Sequence, residues 1–239
     1  MSQSLSNIVG QDGKPLQAAL QVDIIADLVC PWCYLGKRRL DDALVAVRGP
    51  SMVSWYPFQL NPAMPLAGMD IDEYLASKFG DPEELKPALD KLTEVGRSEG
   101  INFHFDKVAR VPNTLNAHRI MKLAESERAN TSDLAEEFLR AFFESGLDIG
   151  DRDVLGELAM RHGLEIKDIN KTLDDDLSRK AVLSQEAQVR QGGVTGVPNF
   201  LVNRRLFVVG AQSTEALVNT FDRAMFGEID ESLSSPTIH

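Results

Sequence analysis

Cysteine is scarce in this chain, with two residues in 239. That excludes a small disulfide-stapled scaffold, which needs several bridges to supplement a thin core. Histidine is scarce as well: His104, His118, His162 and His239 have no paired spacing, so no zinc ligand set accompanies the two cysteines. Positive charge is in deficit, 25 Lys+Arg against 36 Asp+Glu for a net −11. Duplex binding depends on Lys and Arg contacts to phosphate, so no nucleic-acid partner is expected. No apolar run approaches the ~20 residues that cross a bilayer. Met1 to Ala19 lacks the basic start and apolar stretch of a secretory signal and reads as a loose polar arm. The expectation is a cytoplasmic protein with no membrane partner. In a reducing compartment, a lone cysteine pair points to catalysis or metal binding before structure.

What is present is ordinary globular material, 43% hydrophobic and 26% charged, enough for one elaborated domain or two modest ones. Leu20 to Leu28 carries the pattern of a mostly buried strand. Gly36, Leu40, Leu44 and Val47 then fall on one helical stripe that Gly49-Pro50 ends. Met52 to Leu60 reads as a second strand, with Pro57 suited to a sheet edge. From about Met69 to Gln191 the chain looks helical almost throughout. Asp70 and Asp81 stand as N-caps, with Glu73 and Glu84 three residues on. Gly80, Gly100, Gly146 and Gly163 stand as C-caps. Leu134, Phe138, Ala141 and Phe142 make one apolar stripe, Leu155, Leu158 and Ala159 another. Phe103 to Phe105 suggests a short extended segment. Asn199 to Val202 and Leu206 to Val209 flank a short connection, as in a hairpin, and Ser213 caps a last helix through Phe226. Strand–helix–strand, a helical block, then strand–strand–helix describes a small α/β unit (20–62 and 192–229) interrupted by an inserted helical domain (63–191), with an arm (1–19) and a tail (230–239).

Cys30-Pro31-Trp32-Cys33 lies where the first strand ends and a helix begins. Cys30 falls near the N-cap and Pro31 fits N1 with its preset φ. A sulfur there faces unpaired N–H groups and the positive end of the helix dipole, which favour the thiolate that attacks disulfides. Cys33, on the stripe with Gly36 and Leu40, is expected to be the covered sulfur and Cys30 the exposed one. Half of a zinc site and inert buried thiols are the competing readings. Thr195-Gly196-Val197-Pro198 precedes the third strand. A trans Val197–Pro198 bond, much the commoner state, would simply start that strand; a cis bond would turn the Val197 backbone toward Cys30.

Cys30-Pro31-Trp32-Cys33-Tyr34-Leu35-Gly36, Gly196-Val197-Pro198 and Gly210-Ala211-Gln212 resemble the DsbA family, in particular its FrnE-like cytoplasmic branch. Asn61-Pro62, Asn113-Thr114 with Ala117-His118-Arg119, and Ala141-Phe142-Phe143 extend the resemblance over nearly the whole chain. It implies an α/β thioredoxin fold interrupted by a large inserted α-helical domain, a nucleophilic Cys30, a resolving Cys33 and a cis Pro198. It also implies a thiol–disulfide oxidoreductase whose partner is a disulfide or dithiol substrate. No metal and no organic cofactor are called for, because the cysteine pair carries the electrons, with glutathione a candidate co-substrate. Pro31, Trp32 and Val197 are the candidate substrate contacts around Cys30. Asn113 and His118 join them because related 2-hydroxychromene-2-carboxylate isomerases and kappa-class glutathione transferases carry a similar segment near their pocket. A glutathione-dependent isomerase or transferase, or a non-catalytic binding or chaperone protein, are the alternative functions. Two features depart from the wider superfamily. Ile24 stands six residues before Cys30, where many thioredoxin-like proteins have a buried acid, and Trp32 replaces the histidine of periplasmic relatives. Asp27, nearer the motif, is either a proton acceptor or a turn acid at a strand end.

Overall fold

The computed structural model describes residues 20–227, so the expected arm and most of the tail lie outside the described residues. Strand β1 (Leu20–Ala26), helix α1 (Pro31–Val47) and strand β2 (Ser51–Pro57) come first. Short strand β3 (Met69–Asp70), helices α2 (Ile71–Phe79) and α3 (Pro82–Ser98), short strand β4 (Arg110–Val111) and helices α4 (Leu115–Ser126), α5 (Thr131–Phe143), α6 (Arg152–Arg161), α7 (Ile166–Asp174) and α8 (Asp176–Gln191) follow. Strands β5 (Asn199–Val202) and β6 (Leu206–Val209) and helix α9 (Thr214–Phe226) complete the order.

The four longer strands form one sheet of order β2–β1–β5–β6. β1 runs parallel to β2, with Leu20 opposite Ser51 and Ala26 opposite Pro57, and a helical crossover joins them as a parallel pair requires. β5 is antiparallel to β1, with Ile25 opposite Asn199. Pro57 therefore sits on an edge strand, as its missing N–H demands. Alternation along β1 sends Leu20, Val22, Ile24 and Ala26 into a core with Leu40, Phe200, Leu217 and Phe221. Ile25 faces the other side with Phe58 and Val194. The β5–β6 turn places Asn203 and Arg204 at φ 50° and 55°, the left-handed pair a tight hairpin requires.

The helices between the sheet halves gather around Ile120, Leu134, Phe138, Leu155, Leu158 and Ile169. Leu28, Tyr34 and Leu35 join that cluster, so the loop after β1 and the first turn of α1 are packed by both halves of the fold. N-caps form where expected: Asp70 accepts from the N–H groups of Asp72 and Glu73, and Ser213 from that of Ala216.

Three expectations need correction. β1 ends at Ala26 rather than Leu28, because Asp27 Oδ1 accepts the Leu28 N–H (2.8 Å) and turns the chain. β2 ends at Pro57 rather than Leu60, since the Gln59 and Leu60 N–H groups go to the carboxylates of Glu186 (2.9 Å) and Asp27 (2.7 Å). Phe103 to Phe105 is not a strand. Phe105–Lys107 is a 3₁₀ turn, and the Phe103 ring packs edge-on to Tyr34 and Phe143.

Candidate active site

Cys30 is the N-cap of α1, with extended backbone (φ −99°, ψ 114°) and Pro31 in the first turn. Its sulfur accepts the Cys33 N–H at 3.3 Å. The Cys33 side chain stands among the sheet core residues. Burial pushes the Cys33 thiol well above the ordinary thiol range. The hydrogen bond to Cys30 and the charge of Cys30 push it the same way, and the backbone of Asp27 pulls it down. Both cysteines are free thiols. The expected contrast in exposure is small: Cys30 is 3% exposed and Cys33 0%, whereas Trp32 between them is 50% exposed. Cys30 is more covered than a bare helix end would be because the 196–198 loop lies over it.

The Val197–Pro198 bond is cis. The Val197 carbonyl lies 3.8 Å from the Cys30 sulfur, and the Pro198 carbonyl accepts the Gly210 N–H at 2.9 Å. Gly36 makes this approach possible, since a Cβ there would stand 3.0 Å from Pro198 Cγ and 3.2 Å from Phe200 Cζ. The Gly210-Ala211-Gln212 segment joins the same arrangement through Arg39, which donates to the Ala211 carbonyl (2.8 Å) and pairs with Glu99 (2.7 Å). Cys30, Cys33, Pro31, Trp32, Val197 and Pro198 thus meet at the carboxyl end of β1.

Asn113 and His118, the other two expected substrate contacts, are both buried. The Asn113 amide donates to the Met64 carbonyl (2.7 Å) and accepts the Leu115 N–H (3.0 Å), so it holds the entry to α4. His118 is 6% exposed and turns beneath the cysteine loop toward Asp27, with Nε2 3.3 Å from Oδ1. That juxtaposition of distant segments has no local spacing to announce it. Tyr34, next to Cys33, was read only as part of the motif. Its hydroxyl meets Glu136 (3.0 Å) and Glu144 (2.8 Å), and burial, then the charge of Glu136, push the phenol far up. Lys37, 4% exposed, pairs with Asp41 (2.6 Å) and Glu136 (2.9 Å), and Arg38 also pairs with Glu136. These contacts fasten α1 to α5.

Among the described residues, no group of three or more His, Cys, Asp or Glu is arranged to hold a metal ion, and no helix is long and apolar enough to cross a membrane. A cavity of ≈ 440 Å³ opens on the opposite face of the sheet beside Asp23, Tyr56, Arg204 and Phe207, away from both cysteines. The two sulfurs and the 196–198 loop stand apart from that cavity.

Comparison with known proteins agrees with this geometry. The chain is 26% identical over 188 residues to the uncharacterised protein YwbO of Bacillus subtilis, covering 77% of this chain and 86% of that one. It superposes on a probable DsbA oxidoreductase from Streptomyces coelicolor with TM-score 0.79 and 28% identity, over 88% of this chain and 92% of that one. Cytosolic disulfide reductase DsbM from Pseudomonas aeruginosa, solved with GSH, shares the fold at TM-score 0.58 and 19% identity, over 86% and 95% of the two chains. The DSBA-like thioredoxin domain matches residues 21–222, a span that includes both cysteines, the intervening helices and Pro198. The chain belongs to the family of the DSBA-like thioredoxin domain.

Proposed function

We propose that this protein is a thiol–disulfide oxidoreductase working through Cys30 and Cys33. One observation carries the reading: the Cys33 N–H is hydrogen-bonded to the Cys30 sulfur (3.3 Å) at the helix end, where negative charge on sulfur is favoured. The Cys30 thiolate attacks a disulfide R–S–S–R′, forming Cys30–S–S–R and releasing R′–S⁻. Cys33, deprotonated, then attacks the Cys30 sulfur, closing the Cys30–Cys33 disulfide and releasing R–S⁻. Run backwards, the same steps oxidise a dithiol. The exposed Trp32 and the Val197 backbone frame the approach of the substrate. Glutathione is proposed as a co-substrate, supported by the presence of GSH with the structural neighbour DsbM, and the setting proposed is cytoplasmic.

The test is adduct trapping. Cys33→Ser should accumulate mixed disulfides that dithiothreitol removes, and Cys30→Ser should accumulate none. Equal trapping by both variants would contradict the roles assigned.

A further inference from the structure

We infer that Arg39 is a positioning residue for disulfide exchange, through which the inserted helices hold the 196–198 loop over Cys30. This role presupposes the oxidoreductase reading above. Arg39 lies on α1, one turn beyond Gly36, and its guanidinium is divided between two partners. Nε and Nη2 both meet Glu99 Oε1 at 2.7 Å, and Nη1 donates to the Ala211 carbonyl at 2.8 Å. The partners belong to distant parts of the chain: Glu99 follows α3 in the inserted block, and Ala211 lies between β6 and α9. Both side chains of the ion pair are largely covered, Arg39 17% and Glu99 20% exposed, so the pair is screened less than one on open surface.

Each end of this link is anchored. The Glu99 and Ile101 N–H groups both return to the Gly96 carbonyl (2.9 and 2.8 Å), which turns the chain sharply after α3. Ile101 and Phe103 then enter the helical core. Gly96 lies so close to the Phe103 ring that a Cβ there would stand 2.5 Å from it. Glu99 is thereby fixed to the inserted block. At the other end, the Gly210 N–H bonds the Pro198 carbonyl (2.9 Å), one rung past the Asn199–Val209 pair of β5 and β6. The remaining hydrogen bonds of this segment stay local: the Gln212 N–H goes to the Gly210 carbonyl (2.9 Å) and the Gln212 amide to the Val209 carbonyl (2.7 Å). Among the described residues, Arg39 is therefore the polar tie between the 210–212 segment and α1. Ala211 Cα also rests against Gly36, 3.6 Å from where a Cβ would stand.

The consequence for the reaction follows from the order of these contacts. Glu99 fixes the guanidinium, the guanidinium fixes Ala211, Gly210 fixes Pro198, and the Val197 carbonyl stands 3.8 Å from the Cys30 sulfur. Releasing Ala211 lets the 210–212 segment lift from α1 and takes the Val197 backbone out of line with a substrate on Cys30. The same movement uncovers the Cys30 sulfur, which is 3% exposed under the loop. Exchange with a peptide therefore slows while access of a small reagent does not. The two faces of the guanidinium are what the link requires. A lysine ammonium is a point charge without that fork, and it stays with the Glu99 carboxylate and leaves Ala211 unheld.

The experiment treats the full reduced chain with two reagents. Iodoacetamide reports the Cys30 thiol alone, and a synthetic peptide with an internal disulfide reports the thiol and the loop together. Arg39→Met should reduce the peptide about tenfold more slowly than the wild type, as a small misplacement of reacting groups does, while its alkylation is as fast as the wild type's or faster. Arg39→Lys should regain urea stability over Arg39→Met yet remain about fivefold slow with the peptide. It carries the test alone if circular dichroism shows Arg39→Met unfolded. Folded variants that reduce the peptide at the wild-type rate would overturn the inference. So would peptide and alkylation rates that fall together, because the arginine would then act on the thiol and not on the loop. A wild-type protein that leaves the peptide oxidised would instead overturn the oxidoreductase reading itself, so the two failures are distinguishable.

Discussion

Replacing Gly36 with alanine inserts one methyl group where α1 crosses the start of β5. The new Cβ would stand 3.0 Å from Pro198 Cγ, 3.2 Å from Phe200 Cζ and 3.6 Å from Ala211 Cα. Carbon atoms in contact settle at ~3.5–4.0 Å, so helix and loop must part by about half an ångström. Phe200 is 0% exposed and has no free space to enter. Overpacking of this kind costs ~1–3 kcal/mol. Alanine recovers ~1 kcal/mol over glycine in a helix interior, leaving a net loss of about 0–2 kcal/mol. The functional effect should be the larger one. Pushing the Pro198 ring outward carries the Val197 carbonyl off the Cys30 sulfur, and misplacement on this scale slows a reaction by roughly tenfold. Urea denaturation measures the first effect, and the rate of disulfide exchange with a peptide substrate measures the second. A Gly36→Ala protein that is ~1 kcal/mol more stable and exchanges at the wild-type rate would refute the packing argument.

The raised Cys33 thiol makes reduced-state stability depend on pH. Its folded value lies above the unfolded one, so this contribution is complete below about pH 8.5 and is lost as pH rises toward the folded value, at up to ~1.4 kcal/mol per pH unit. Urea melts of the reduced protein against Cys33→Ser should show this loss in the wild type only; parallel pH dependences would contradict it. Glu136→Gln removes the charge opposite buried Lys37 while Asp41 still pairs with that lysine. With Glu136 partly exposed, a destabilisation of about 2 kcal/mol is expected, below the full cost of breaking a buried pair, and no change in the urea midpoint would count against it.

Where local chemistry decides the outcome, the chain could be read directly. Cys30 before Pro31 is a helix N-terminus by capping and φ alone, and the alternation in Leu20 to Ala26 sets which face of the sheet is buried. The split sheet followed from element order, and the cis bond at Pro198 from resemblance rather than from physics. Long-range placement was not legible. Nothing in the spacing of Asp27 and His118 shows that α4 slides its imidazole under the loop after β1, because that contact is made by tertiary packing. Strands β3 and β4 are two residues each, too short for alternation to register. The hold of Asn113 on α4 does have a local signal, since an asparagine two residues before a helix commonly turns its side chain onto that helix's first N–H. The cover over Cys30 could not be foreseen from a helix end considered alone, because it comes from a loop near the other end of the chain.

The central claim is that Cys30 and Cys33 are one redox unit. An equilibrium titration of the full chain across glutathione buffers of increasing oxidation, quenched with acid and read by intact mass after alkylation, tests it directly. The account predicts loss of both alkylatable thiols together, reversibly, into a single intramolecular disulfide. Two thiols that stay alkylatable across the whole range, or a protein that ends as a glutathione adduct on Cys30 with Cys33 still free, would contradict it.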